Sequence, residues 1–141
     1  MTRQQIEDLV ARRERAINQR DTAAFAALYA EDAVIESPTA GGTVQGRPAI
    51  AKIADAWFSG FPDMKFRSRS LLIDGDQAVT VGEMHGTDSG GFMDLPPTNK
   101  PFLLQIVFLS KVKDGLIVHE QPIYDFTGLL IQIGVLKAKP V

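Results

Sequence analysis

Hydrophobic positions fall at helical intervals early in the chain and in strand-like runs from Met64 onward. Thr2 and Gln5 have the spacing of a capping box, so a helix is expected to begin at once. Ile6, Leu9, Val10, Ala16 and Ile17 mark its apolar face, with Arg12, Glu14 and Arg15 opposite. Asp21 can end that helix and cap a second, whose buried stripe is Ala24, Phe25, Leu28 and Tyr29. Residues 34–36 read as a short strand stopped by Pro38 and the pair Gly41-Gly42. Pro48 suits the first turn of a third helix carrying Ile50, Ile53, Trp57 and Phe58, which Gly60 and Pro62 end.

Four longer strands are predicted next: 64–74, 77–87, 102–112 and 116–124. Asp74-Gly75-Asp76 and Asp114-Gly115 are tight-turn signals, and a loop rich in Gly, Asp and Pro fills 88–101. Asp125 can cap a closing helix over 126–133, with Gly134 as its stop. Three helices followed by an antiparallel meander give an α+β fold with the helices covering one face of a curved sheet. The run 102–109 is apolar at nearly every position, as a strand buried on both faces reads. One face would line the interior, and the other would meet a second subunit. A homodimer through the sheet is therefore expected, the alternative being cover by the chain's own loops.

Composition narrows the partners. With 141 residues, 45% hydrophobic, the chain reads as one domain over 1–136 with a polar tail at 137–141. Net charge is -2, so a nucleic-acid partner, which demands a basic surplus, is not expected. No cysteine and two histidines leave little from which to build a metal site, so no metal is expected. Charges interrupt the first twenty residues throughout, unlike a secretory signal, and no apolar run approaches a membrane span. A cytoplasmic protein without membrane contact is the expectation.

Several local motifs carry a resemblance. They are Asn18 and Asp21, the run Tyr29-Ala30-Glu31-Asp32-Ala33-Val34, and Gly46-Arg47-Pro48-Ala49-Ile50. Later come Gly90-Gly91-Phe92-Met93-Asp94-Leu95-Pro96-Pro97-Thr98, Lys113-Asp114-Gly115, and Asp125-Phe126 with Gly128-Leu129-Leu130 and Gln132-Ile133-Gly134. In their order the chain resembles the SnoaL-like polyketide cyclase branch of the nuclear-transport-factor-2-like superfamily over nearly its whole length. The resemblance implies a cone: a strongly bent sheet around a long helix, with an apolar pocket at the open end. It also implies cofactor-free ring closure by an intramolecular aldol reaction, with an aspartate as base and a glutamine and a histidine as donors. Position by position, the base falls here on Pro122 and the two donors on Ile106 and Phe108. In the related ketosteroid isomerases the base falls on Ser37 and a tyrosine of the first helix on Arg13.

Other polar groups must then carry any chemistry. By strand alternation Val118, Glu120 and Tyr124 share the face of Pro122, with Ile106, Phe108 and Ser110 opposite on the neighbouring strand. Glu120 held against Phe108 and Ile106 could act as an acid or base; the alternative is that it sits solvated at the rim or pairs with an arginine. His85, alternating with Glu83 and Thr87, is a second candidate or a structural histidine; Tyr124 could offer a phenolic donor. Glu36 and Ser37 stand where isomerase relatives carry catalytic groups, though Ser37 also suits a turn cap. His119 falls in the opposite phase and should face solvent or a partner, and Asp125 reads as a helix cap. Trp57, Phe58 and Phe92 would line the pocket wall, and the glycine-bearing loop 88–99 could cover its entrance. Two functions remain open: a cofactor-free lyase or isomerase acting on a small polyketide-, steroid- or terpenoid-like molecule, or a non-catalytic protein that binds an apolar ligand or a second copy of itself.

Overall fold

The computed structural model describes residues 1–37 and 42–139; Pro38 and Gly41, read above as strand stops, and Pro140 and Val141 of the tail lie outside them. Helix α1, Arg3–Asn18, starts at the expected capping box, with Thr2 and Gln5 each bonding the other's backbone. Ile6, Leu9, Ala16 and Ile17 are buried, and so is Arg13, which shares their face. Asp21 caps α2, Thr22–Ala26, by accepting from the backbone N–H of Ala24 at 3.0 Å. That helix is shorter than its apolar stripe suggested. Tyr29 leaves it to open strand β1, Tyr29–Ser37, because its backbone is claimed by pairing with Ile117. A short strand, β2 (Gly42–Gln45), precedes α3, Arg47–Gly60.

The expected meander follows with small changes of boundary: β3 Lys65–Asp74, β4 Gln77–Thr87, β5 Pro101–Lys113 and β6 Leu116–Tyr124, closed by α4, Phe126–Gln132. All six strands form one sheet in the order β2-β1-β6-β5-β4-β3. Its pairs are antiparallel except β1 with β6, which run parallel. Register shifts between Ser68 and Ser70, between Lys111 and Val112, and along β1 mark where the sheet bends, as bulges do. Gly82 lies opposite the first of these, where a Cβ would come within 2.6 Å of the Phe66 ring. Only glycine lets that ring cross the sheet so closely.

Two side-chain amides tie the helices to the sheet by imitating a strand. Asn18 accepts from Phe66 N at 2.7 Å and donates to Phe66 O at 3.0 Å. Gln132 does the same for Leu103, at 2.8 Å and 3.0 Å, where β6 has already ended. The interior divides into two apolar clusters. One gathers Phe58, Phe61, Phe66, Phe102 and Phe108, and the other Ile6, Leu9, Tyr29, Ile50 and Ile117. Among the described residues no helix is long and apolar enough to cross a membrane.

Two expectations change. Strand β5 alternates instead of being buried on both faces, with Phe102, Leu104, Ile106 and Phe108 inward and Leu103 55% exposed on the outside. Among the described residues none covers that outer side of Leu103 fully. The loop after β4 also joins no part of the cavity lining, packing instead against the end of α3. Phe92 is buried against Phe61 with ring centroids 4.7 Å apart, and a Cβ on Gly90 would sit 1.8 Å from the Ser59 carbonyl oxygen. Buried Asp88 holds the loop from within, accepting from Phe92 N at 3.0 Å, Thr98 N at 3.2 Å and the Thr98 hydroxyl at 3.0 Å. Asp88→Ala strands these donors, so it should cost about 2–3 kcal/mol in urea denaturation and expose the loop to proteolytic nicking between 89 and 99.

Candidate functional site

A cavity opens between α3 and the inner face of the sheet. It holds about 80 Å³, or about 590 Å³ with its open mouth counted. Half-buried Phe25, Ile53, Trp57, Pro122 and Tyr124 stand toward the mouth, and fully buried Tyr29, Ile35, Phe108 and Glu120 form the deep end. Phe58, Ile106 and Ser37 complete the set of expected wall residues that reach it. Phe92 does not line the cavity but backs Trp57, their rings 5.0 Å apart.

Strand phase decides the rest. On β4 the inward residues are Thr80, Gly82 and Met84, so His85 points outward and is exposed beside Lys65 and Glu83. A role for His85 in the cavity is corrected accordingly. On β1 the inward residues are Ile35 and Ser37, which leaves Glu36 exposed. Glu36 lies 3.8 Å from the outward-facing His119 and reaches no part of the cavity. Asp125 caps α4 through Gly128 N at 2.8 Å.

Glu120 brings a carboxylate to the cavity wall. It is 1% exposed, and its carboxylate accepts from three side chains. Oε2 takes a bond from the Arg13 guanidinium and one from the Ser110 hydroxyl at 2.6 Å, while Oε1 takes the Tyr29 hydroxyl at 2.5 Å. Arg13, also 1% exposed, donates its other Nη to the Thr80 hydroxyl at 2.9 Å and lies 4.1 Å over the Phe108 ring. The apolar setting expected for Glu120 is thus broken by a paired cation, the arginine alternative noted from sequence. Burial first, and then the neighbouring carboxylate, push the Tyr29 phenol well above the usual tyrosine value, against the opposing pull of Arg13. Tyr29 therefore stays protonated as a donor.

Sequence reasoning missed Arg13, Tyr29 and Thr80 as members of one constellation. A signal existed for Arg13. It follows Leu9 by four positions and precedes Ala16 and Ile17 by three and four, on the apolar face of α1, where a charge requires a partner. Its partner, 107 positions away, has no local signature.

A bent sheet wrapped on a long first helix, with an apolar cavity at the open side, defines the nuclear-transport-factor-2-like class of α+β proteins. Within that class, the model of the SnoaL-like polyketide cyclase family matches residues 7–133, and the chain belongs to this family. IdmH from Streptomyces antibioticus, a candidate polyketide cyclase, is similar at 31% identity, covering 91% of this chain and 97% of its own, with a TM-score of 0.76. TsrD from Streptomyces laurentii shares the fold at 20% identity with a TM-score of 0.85, over 96% of this chain and 99% of its own. So does a candidate SnoaL-like cyclase from Jannaschia sp. CCS1, at 18% identity and a TM-score of 0.83, over 97% and 94% of the two chains. No curated protein matches the sequence.

Removing one partner of a buried ion pair strands the other charge, at a cost of about 3–5 kcal/mol. Arg13→Met should lose that much stability in urea denaturation, and adding Glu120→Leu should restore most of it. A double variant no more stable than Arg13→Met would assign the loss to packing instead.

Proposed function

We propose that this protein binds a small apolar, polyketide-like molecule in the cavity and moves a proton on it without a cofactor, with Glu120 as the general base. One observation carries the reading: Glu120 is the carboxylate on an otherwise mostly apolar wall, and its position is fixed by Arg13, Ser110 and Tyr29. A pre-positioned base needs no reorganisation when the substrate arrives. Taking an acidic carbon- or oxygen-bound proton converts the carboxylate to the acid and leaves the substrate as its enolate. Return of that proton to another atom is an isomerisation, and attack of the enolate on a carbonyl of the same molecule is a ring closure. Family membership and the likeness to IdmH support the substrate class.

A second reading, binding without turnover, is favoured by Ile106, Phe108 and Pro122, apolar where the resemblance places the reacting groups. Native mass spectrometry of the protein purified from its host should reveal a co-purifying apolar molecule. Wild type should convert it, and Glu120→Gln should bind it with kcat reduced by about 10²–10⁴-fold. Equal turnover by both proteins removes Glu120 from catalysis, and binding without turnover in either establishes the carrier.

We also propose that the outer sheet face pairs with a second copy of this chain. Two apolar rows cross the strands there, Leu72–Val79–Leu109 and Val81–Val107–Ile123, with Leu72 66% and Ile123 49% exposed. Light scattering at micromolar concentration should give a dimer for wild type and a monomer for the double variant Val107→Arg, Ile123→Lys. A monomeric wild type would overturn this assembly.

A further inference from the structure

The hydrogen-bond valences at the deep end of the cavity restrict what a ligand can present there. The three donors that meet Glu120 are spent on it: one Arg13 Nη and the Ser110 hydroxyl on Oε2, and the Tyr29 hydroxyl on Oε1. The second Nη of Arg13 donates to Thr80. The Arg13 Nε–H has no partner among the described residues, but neither Arg13 nor Thr80 lines the cavity. Ser37 and Tyr124 on the wall are themselves engaged. A carboxylate oxygen has about two lone-pair sites, so Oε2 is filled and Oε1 retains one. The Tyr29 oxygen, having given its proton away, can also accept. Tyr29 and Glu120, the members of this cluster that line the cavity, therefore offer it acceptors and no uncommitted proton. The cluster's charges, Arg13 and Glu120, cancel within one ion pair, so an anion gains no net attraction and meets the carboxylate across a dry wall.

We propose that the cavity selects neutral, apolar molecules that present a hydroxyl to Glu120, a phenol or a stabilised enol, over molecules that present a carbonyl, an ether or a carboxylate. A ligand hydroxyl completes the fourth bond of the Glu120 carboxylate. At Glu120 and Tyr29 a ligand carbonyl finds only oxygen lone pairs unless it breaks a bond already made. The selection rests on the reading of the cavity as the ligand site and specifies its substrate class: the group brought to the base is the one that carries the acidic proton.

Trp57, the chain's only tryptophan, lines the cavity and serves as the reporter. Four single-ring probes differ in one group only: p-cresol, 4-methylanisole, toluene and p-toluate. Their binding is followed through the Trp57 indole N–H resonance by NMR. A hydrogen bond to a charged acceptor corresponds to about tenfold or more in affinity, so p-cresol should bind at least about tenfold tighter than the other three. Tyr29→Phe frees the second site on Oε1 and should preserve or widen that preference. Glu120→Gln, which replaces the charged acceptor with a neutral amide, should shrink it. Should Glu120→Gln fail to fold, Tyr29→Phe still decides: loss of the preference in it contradicts the valence count. Equal binding of 4-methylanisole or p-toluate and p-cresol by wild type overturns the selection alone, leaving the cavity as a ligand site. Binding of none of the four overturns the cavity reading and the selection with it.

Discussion

The buried pair of Arg13 and Glu120 is the constraint around which the rest of the molecule is arranged. Two charges removed from water are tolerable only if each meets the other and the remaining valences are filled. Here Ser110, Thr80 and Tyr29 supply most of the filling, leaving the Arg13 Nε–H without a partner among the described residues, and the Phe108 ring supplies a face for the guanidinium. Those partners come from α1, β1, β4, β5 and β6. The network therefore fixes the distance of the first helix from the sheet and the register of four adjacent strands. It also lies on β5 between Phe108, which belongs to one apolar cluster, and Val112, which belongs to the other. A polar layer between two oily ones specifies a single way of stacking them, since any slip leaves a charge without its partner.

That arrangement explains why a carboxylate can sit at the bottom of an apolar cavity at all. Glu120 reaches the cavity from a strand whose next inward residues, Pro122 and Tyr124, lead up to the mouth. Pro122, without an N–H to give, and the bulky residues Ile106 and Phe108 leave the carboxylate as the ionised group on that wall. Where the family resemblance would put an acid–base set midway up the cavity, this chain has a hydrophobic sleeve, with its charge placed deeper and shared with α1.

Much of the fold was legible from residue patterning. The capping box at Thr2, the Asp21 and Asp125 caps and the two Asp-Gly turns are local signals, and the structure honours each. The four-strand meander followed from alternation between those turns. What patterning misjudged were competitions settled at long range. Leu28 and Tyr29 fit a helical stripe, yet pairing with Ile117 drew Tyr29 into a strand. The β2 strand, four residues with no apolar alternation, exists only as the partner of β1. Strand β5 looked buried on both faces because its outer residues are apolar too, and sequence cannot tell a covered apolar face from an open one. For the site, alternation placed Glu120, Pro122, Tyr124, Ile106 and Phe108 together on one wall, but it could not fix which phase of β4 and β1 faced inward, and so admitted His85 and Glu36.

The bond between Gln132 and Leu103 has a consequence beyond anchoring a helix. Past Tyr124 the last strand has run out, and the early part of β5 would otherwise show bare backbone to its surroundings beside an outward leucine. Such an edge is a template on which another chain can add a strand. By lending one amide in place of the missing strand, the closing helix occupies that template. The last turn of α4 thus fills the backbone valences of Leu103 that an added strand would need, a seam that the cavity's own residues leave untouched.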